Sequence, residues 1–376
     1  MVKLNNKYLL SKNINKIIDK RVLVRVDLNI ETCGFTQIEN YRIKIAKDLL
    51  KFLESAKQII FISHLGQPPY ADQRGYADYS LEKFIPYLPE FKFVNWKYEE
   101  NAKNDKSFLA PKNNAENDNS FSATEMTKTY FSSFPSFSAL PNDKFILLEN
   151  LRFFEGEEKN DIEFAKSLSE LADVFVNEAF SVSHRNHASI IEIPKFLPSY
   201  FGINFENEIR NLNKVFESDN KLAIVIGGAK IETKLPLIKK FLNKADLIVL
   251  GGLTAKEFTE THQIENDRIL IPQKVNDDTD LKSIKIFLKR LKKMDIIVWN
   301  GPFAKLSDGE SEAGTLLFAK ELVRMKNFTI VGGGDTISFL YKHKLHSKFD
   351  FISTGGGAML NYLANETLPG LEAIQK

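Results

Sequence analysis

A single cysteine, Cys33, stands among 376 residues. One thiol closes no intramolecular disulfide and builds no multi-cysteine zinc or iron–sulfur site, which fits a reducing compartment. Tryptophan is nearly as scarce, at two residues, and neither sign of charge prevails: 51 Lys and Arg against 49 Asp and Glu leave a formal charge of +2. With no global field to draw nucleic acid or an anionic membrane, any anion site has to be a local cluster. Long apolar runs are missing too. The longest, such as LAIVI and LIVL, fall far short of the ~20 residues that span a bilayer. The opening MVKLNNKYLLSKNINK lacks the basic-then-apolar layout of a signal peptide. These absences predict a cytoplasmic protein with neither nucleic-acid nor membrane partners.

What is present is a core. Hydrophobic residues make up 43% and charged residues 27%, the balance of a globular chain, and the length fits two or three domains at roughly 150 residues each. Short β-rich runs alternate with amphipathic stretches, the signature of α/β architecture with mostly parallel strands. In the first half the predicted strands are RVLVRV (21–26), QIIFIS (58–63), FKFVNW (91–96), KFILLE (144–149) and DVFVN (173–177). Helical periodicity covers 42–56 and 161–172. The second half repeats the rhythm with KLAIVIGG, DLIVLGG, DIIVWNG, FTIVGGG and FDFISTGGG, and 205–218 between the halves reads as a connecting helix. Residues 101–140 differ from their surroundings. They are rich in Asn, Ser and Lys with scattered Phe and no period, and read as a solvated insertion.

Ligands of open α/β sheets sit beyond the carboxyl ends of the strands, so the residues that follow each run are the informative ones. In the first half these are Asp27 and Asn29, then His64, then Glu149, Asn150 and Arg152, then His184, Arg185 and His187, with Arg42 opening the helix after the first strand. Each alone reads as a surface arginine or a core histidine. Three arginines along one sheet edge read as a receptor for a small, multiply anionic molecule, because guanidinium forks match carboxylate and phosphate oxygens. The second half ends its strands in glycine instead: Gly227-Gly228, Gly251-Gly252, Gly301, Gly332 to Gly334 and Gly355 to Gly357. Glycine there lets backbone N–H groups approach phosphate at a helix N-terminus. Neither GxxxxGK[ST] nor GxGxxG occurs, which argues against P-loop and dinucleotide sites. Lys230 and Lys234 lie one helical turn apart after the first glycine pair. Asp335 reads as a magnesium ligand, an N-cap, or both.

The strings VRVDLN, SHLG, LLENLRFFEGEEKND, HRNHAS, GGAKIETK, VWNGP, VGGGDT and STGGGA resemble, in order, the motifs of the phosphoglycerate kinase family, from about residue 21 to 370. The resemblance implies two Rossmann-like α/β domains joined by a hinge helix with a cleft between them. Residues 1–204 would bind the triose acid, 205–364 the nucleotide, and 365–376 would return to the first domain. It implies Mg²⁺-dependent phosphoryl transfer between 1,3-bisphosphoglycerate and ADP, in a protein that is usually monomeric. Carried over by position, Asp27, Asn29, Arg42, His64, Leu65, Gly66, Gln67, Arg152 and Arg185 stand at triose-binding positions. Lys234, Gly251, Gly252, Asn300, Ser307, Gly333, Gly334, Asp335 and Thr336 stand at nucleotide positions, with Asp335 toward the metal. Arg42, Lys230, Lys234 and Gly355, Gly356 and Gly357 stand around the transferring group.

The chain departs from the pattern at a few places. Gln67 follows His64-Leu65-Gly66 where the family resembles HLGR. Ser307 stands where a ribose-holding glutamate is usual, and the 253–296 segment is short, with DDTD (277–280) at the adenine wall. An active kinase and a weakened relative that only binds triose phosphate or nucleotide both fit these departures.

Overall fold

The computed structural model describes residues 3–30, 37–68, 76–95, 140–217, 219–228, 231–261, 266–273, 279–303 and 312–376. Among them two six-stranded sheets form. The first contains β1 (Arg21–Arg25), β2 (Gln58–Ile62), β3 (Lys92–Val94), β4 (Phe145–Leu148), β5 (Val174–Asn177) and β6 (Ser199–Phe201), in the order β3-β4-β2-β1-β5-β6. The second contains β7 (Leu222–Ile226), β8 (Leu247–Leu250), β9 (Ile269–Leu270), β10 (Ile296–Asn300), β11 (Phe328–Gly332) and β12 (Phe351–Ile352), in the order β12-β11-β10-β7-β8-β9. Every pairing is parallel, with Arg25 opposite Ile62 and Asn177, and Asn300 opposite Gly332 and Ile226.

Parallel strands covered by helices on both faces have to be apolar on both, hence the unbroken Val/Ile/Leu runs. Val22, Val24, Ile59 and Phe61 pack into one core, while Leu23, Ile60 and Ile62 pack into the core on the opposite face. The second sheet divides likewise, with Ile224, Ile226 and Val298 on one side and Ala223, Val225 and Trp299 on the other. Each fully buried side chain of this kind contributes about 1.5–3 kcal/mol. Arg25, wholly buried at the end of β1, breaks the pattern.

The helix Ile203–Asn213 joins the sheets. Its first turn donates Asn204 N (3.0 Å) and Phe205 N (3.3 Å) to the buried Glu178 carboxylate beyond β5. One turn further on, Glu208 accepts from Ser353 Oγ (2.7 Å), Thr354 N (2.6 Å) and Thr354 Oγ1 (2.8 Å) beyond β12. Phe180, Phe205 and Tyr362 stack edge to face in the same junction. The last helix, Pro369–Gln375, lies against residues 188–195, where Gly370 N donates to Ser183 O at 2.9 Å.

The predicted strands are all present with trimmed ends. The helix expected over 42–56 instead starts at Gln37 and closes at Leu50. The 205–218 helix is α-helical to Asn213 and then tightens into a 3₁₀ turn. Two edge strands, β6 and β9, had no signal, since three and two residues carry no alternation. The proposed insertion at 101–140 lies outside the described residues except for Leu140.

Candidate functional site

The chain leaves β1 toward β2 and leaves β5 toward β6, on opposite sides, so a crevice opens between the carboxyl ends of β1 and β5. The same reversal occurs between β7 and β10 in the second sheet. There Gly227 and Gly301 allow an approach that no side chain permits. A Cβ on Gly227 would stand 2.1 Å from Pro302 O, and one on Gly301, at φ +95°, 2.1 Å from Gly227 O.

Both edges border one cavity of about 440 Å³. Asp27, Asn29, Arg42, His64 and Arg185 line it from the first sheet; Lys234, Asn300, Gly333, Gly334 and Gly355 to Gly357 line it from the second. With His184, eight of the polar residues singled out in the sequence therefore meet in one space, while Glu149, Asn150, Arg152, His187 and Asp335 are not in its lining. On the first edge, Arg42 Nη1 lies 3.3 Å from Asp27 Oδ1 and also donates to Asn29 O. Ser181 Oγ donates to Asp27 Oδ2 at 2.5 Å, tying the ends of β5 and β1 across the crevice. Asn29 Oδ1 accepts from Gly66 N at 2.8 Å. Arg152 is buried, with Nε 3.2 Å from Glu158 Oε1 and Nη1 donating to Gly66 O, while its Nη2 has no hydrogen-bond partner among the described residues. A buried guanidinium N–H left open is an anion-binding group in waiting.

On the second edge, Lys234 Nζ donates to Gly227 O at 2.5 Å. Thr336 is buried and its Oγ1 accepts from Gly301 N at 3.0 Å, so it braces the turn rather than facing the cavity. Gly252 N donates to Thr279 Oγ1 at 2.9 Å, and Gly251 packs on the Phe303 ring, both away from the cavity lining. Asp335 is exposed in the first turn of the helix Gly334–Lys342, whose N-cap is Gly333, so the N-cap role read for Asp335 falls to the glycine. Leu65 is buried and Gln67 exposed, neither in the lining. Lys230 and Ser307 lie outside the described residues.

Positive charge dominates the first edge. Burial, then Arg25, Arg152, Arg185 and Arg42, hold His64 well below its ordinary 6.5. Burial and Arg185 take His184 down to about 4, and burial with Arg25 and its neighbours takes His187 to about 3. Burial first, and the neighbouring arginines second, keep these histidines neutral at pH 7. Burial, with Arg185 next, lowers even Arg152 to about 10.

Arg25, Glu157 and Ser189, which stand behind the edge, and Tyr41 and Thr354, which border the cavity, were not singled out in the sequence. For Arg25 a signal existed: a charge inside the apolar run RVLVRV. The others carried none.

The profile of the family described as phosphoglycerate kinase matches residues 12–277 and 266–366. A phosphoglycerate kinase of Finegoldia magna is 31% identical over 99% of this chain and 100% of its own length. One of Pseudothermotoga lettingae is 31% identical, covering 95% and 96%. The crystal structure of phosphoglycerate kinase from Pyrococcus horikoshii superposes with a TM-score of 0.74 at 25% identity, covering 98% of each chain. With motifs, sheets and crevice in agreement, the chain belongs to the phosphoglycerate kinase family.

Proposed function

We propose that this chain catalyses reversible phosphoryl transfer between 1,3-bisphosphoglycerate and ADP, giving 3-phosphoglycerate and ATP, as a cytoplasmic monomer. The observation that carries the reading is the shared cavity, with arginine forks on one wall and lysine and glycine backbone on the other. In this reading residues 1–204 hold the triose acid and 205–364 the nucleotide, with 365–376 returning to the first unit. Arg42, Arg152 and Arg185 pair with the carboxyl and phosphate oxygens of the triose. Gly333-Gly334 and Gly355 to Gly357 offer backbone N–H groups to the nucleotide's phosphates and the transferring group, and Lys234 neutralises its equatorial oxygens.

A β-phosphate oxygen of ADP attacks the acyl phosphorus, the P–O bond to the carboxyl breaks, and the carboxylate leaves. Nucleophile and leaving group are both ionised at pH 7, so no proton moves and no base is required. That agrees with a cleft whose histidines are held neutral. Catalysis then rests on positioning and charge stabilisation.

Magnesium fits the residues present. Asp335 offers one exposed carboxylate beside the glycine turn, and no group of three acidic, His or Cys side chains forms elsewhere among the described residues. One carboxylate with substrate phosphates is the usual setting for this ion. When bound there it would neutralise charge on the nucleotide phosphates.

The test is a coupled assay with 3-phosphoglycerate and Mg-ATP. Turnover that depends on both substrates supports the reading. Absence of turnover with retained ligand binding supports the weakened relative instead, which the exposed Gln67 in an arginine's place favours.

A further inference from the structure

Behind the cleft's histidine stands a group to which phosphoryl transfer assigns no task. Arg25, at the end of β1, is fully buried. Its Nε donates to Ser189 Oγ at 2.9 Å, its Nη1 to the Val26 carbonyl at 2.9 Å, and its Nη2 lies 3.1 Å from His64 Nδ1. A guanidinium has only donors and does not give up its proton. The Nδ1 atom of His64 therefore takes part as an acceptor, and the ring's one proton sits on Nε2, the nitrogen turned away from Arg25. Arg25 is itself held from behind: Ser189 donates its Oγ (2.6 Å) and N (2.9 Å) to Glu157, whose Oε1 lies 3.7 Å from Arg25 Nη2.

We propose that Arg25 is a positioning residue that locks His64 as the neutral Nε2–H tautomer, so that the cleft meets its anionic ligand there with a hydrogen-bond donor and not with a base or a cation. The triose assignment above supplies only the identity of that ligand. The charged groups that face His64 are Arg25 from β1, Arg42 from the helix after it, Arg152 from the turn after β4 and Arg185 from the segment after β5. All four disfavour a second proton on the ring. Glu157, the nearest balancing carboxylate, acts through Arg25.

The direct test is ¹⁵N–¹H correlation of the histidine side chains in the full chain, with His64 assigned from the His64→Gln spectrum. The expected pattern is Nε2–H, unchanged from pH 5.5 to 8.5. An Nδ1–H pattern, or a protonation midpoint between pH 5.5 and 7.5, overturns the proposal. In Arg25→Met the ring loses the donor that fixes Nδ1 as an acceptor, so the Nδ1–H and Nε2–H forms mix, and the KM for 3-phosphoglycerate rises several-fold with kcat little changed. A pure Nε2–H pattern retained in Arg25→Met also overturns the proposal. Should Arg25→Met not fold, the wild-type spectrum decides alone. The expected tautomer in a chain without transferase activity would sink the proposed reaction and leave this assignment standing.

Discussion

The two sheets prepare their carboxyl edges for anions in opposite ways. The first presents side chains to the cavity, Arg42, Arg185 and His64, with Arg152 buried against Gly66 and with Asp27, Ser181 and Asn29 as braces. The second presents backbone, at Gly333-Gly334 and Gly355 to Gly357, with Lys234 as the cation in the cavity lining. Guanidinium forks recognise a particular arrangement of oxygens at fixed angles. Glycine turns offer N–H groups at a helix N-terminus, which accept a phosphate of whatever molecule carries it. Under the proposed function, the difference would put specificity for a small acid on one wall and phosphate delivery on the other.

The largest effect that sharpens this comparison is expected from Lys234→Ala. If the ammonium acts on charge developing in the transition state, kcat falls by ~10² or more while both KM values change little. An equal fall in substrate affinity would move Lys234 from transfer to binding. Next comes Gly227→Ala. Its new methyl meets the Pro302 carbonyl at 2.1 Å, and displacing backbone costs about 2–3 kcal/mol, read as a melting temperature lower by several degrees. A side-chain edge tolerates truncation better, so Arg185→Ala should melt within a degree or two of wild type.

The pH dependence of stability separates the regions in sign. His184 and His187 have folded values near 4 and 3, below the ordinary 6.5. The unfolded chain takes up their protons first, so their contribution is full above pH 6.5 and is lost as pH falls toward 4. At the junction, burial raises Glu208 to about 7 and Glu178 to about 8, from 4.5. Their contribution is full below pH 4.5 and is lost as pH rises through 7 to 8. Thermal melts from pH 4 to 9 should show a shallower acid slope in the His184→Gln/His187→Gln double variant, where His64 still contributes, and lose the alkaline slope in the Glu178→Gln/Glu208→Gln double variant. Slopes unchanged by these substitutions would refute the assignment. The smallest effect is expected from replacing residues 101–139 with a short Gly-Ser linker. Loop entropy changes slowly with length, so activity and melting temperature should stay close to wild type.

Legibility in the sequence follows the same divide. The glycine edge was readable because glycine clusters directly after apolar runs have few other causes. The arginine edge was readable by position, and motif resemblance assigned its roles. The supporting layer was not. Glu157, Ser189 and Ser181 reach Arg25 and Asp27 from about 130 to 165 positions away along the chain, and neither periodicity nor composition records such a pairing. Edge strands β6 and β9 are too short to alternate, and their pairing is imposed by β5 and β8. Thr336 was readable as a nucleotide position by motif, but the contact of its buried hydroxyl, in the first turn of the helix Gly334–Lys342, with Gly301 N was not, since nothing in the pattern links positions 35 apart.

The division of labour between the two edges is tested most directly by calorimetric titration of Arg42→Ala with 3-phosphoglycerate and, separately, with Mg-ADP. Arg42 reaches the cavity from the first sheet alone, and a charged hydrogen bond is worth about 1.5–3 kcal/mol. The account predicts a roughly ten- to hundredfold loss of affinity for 3-phosphoglycerate with Mg-ADP affinity unchanged within twofold. Equal losses for both ligands, or a loss for Mg-ADP alone, would contradict it.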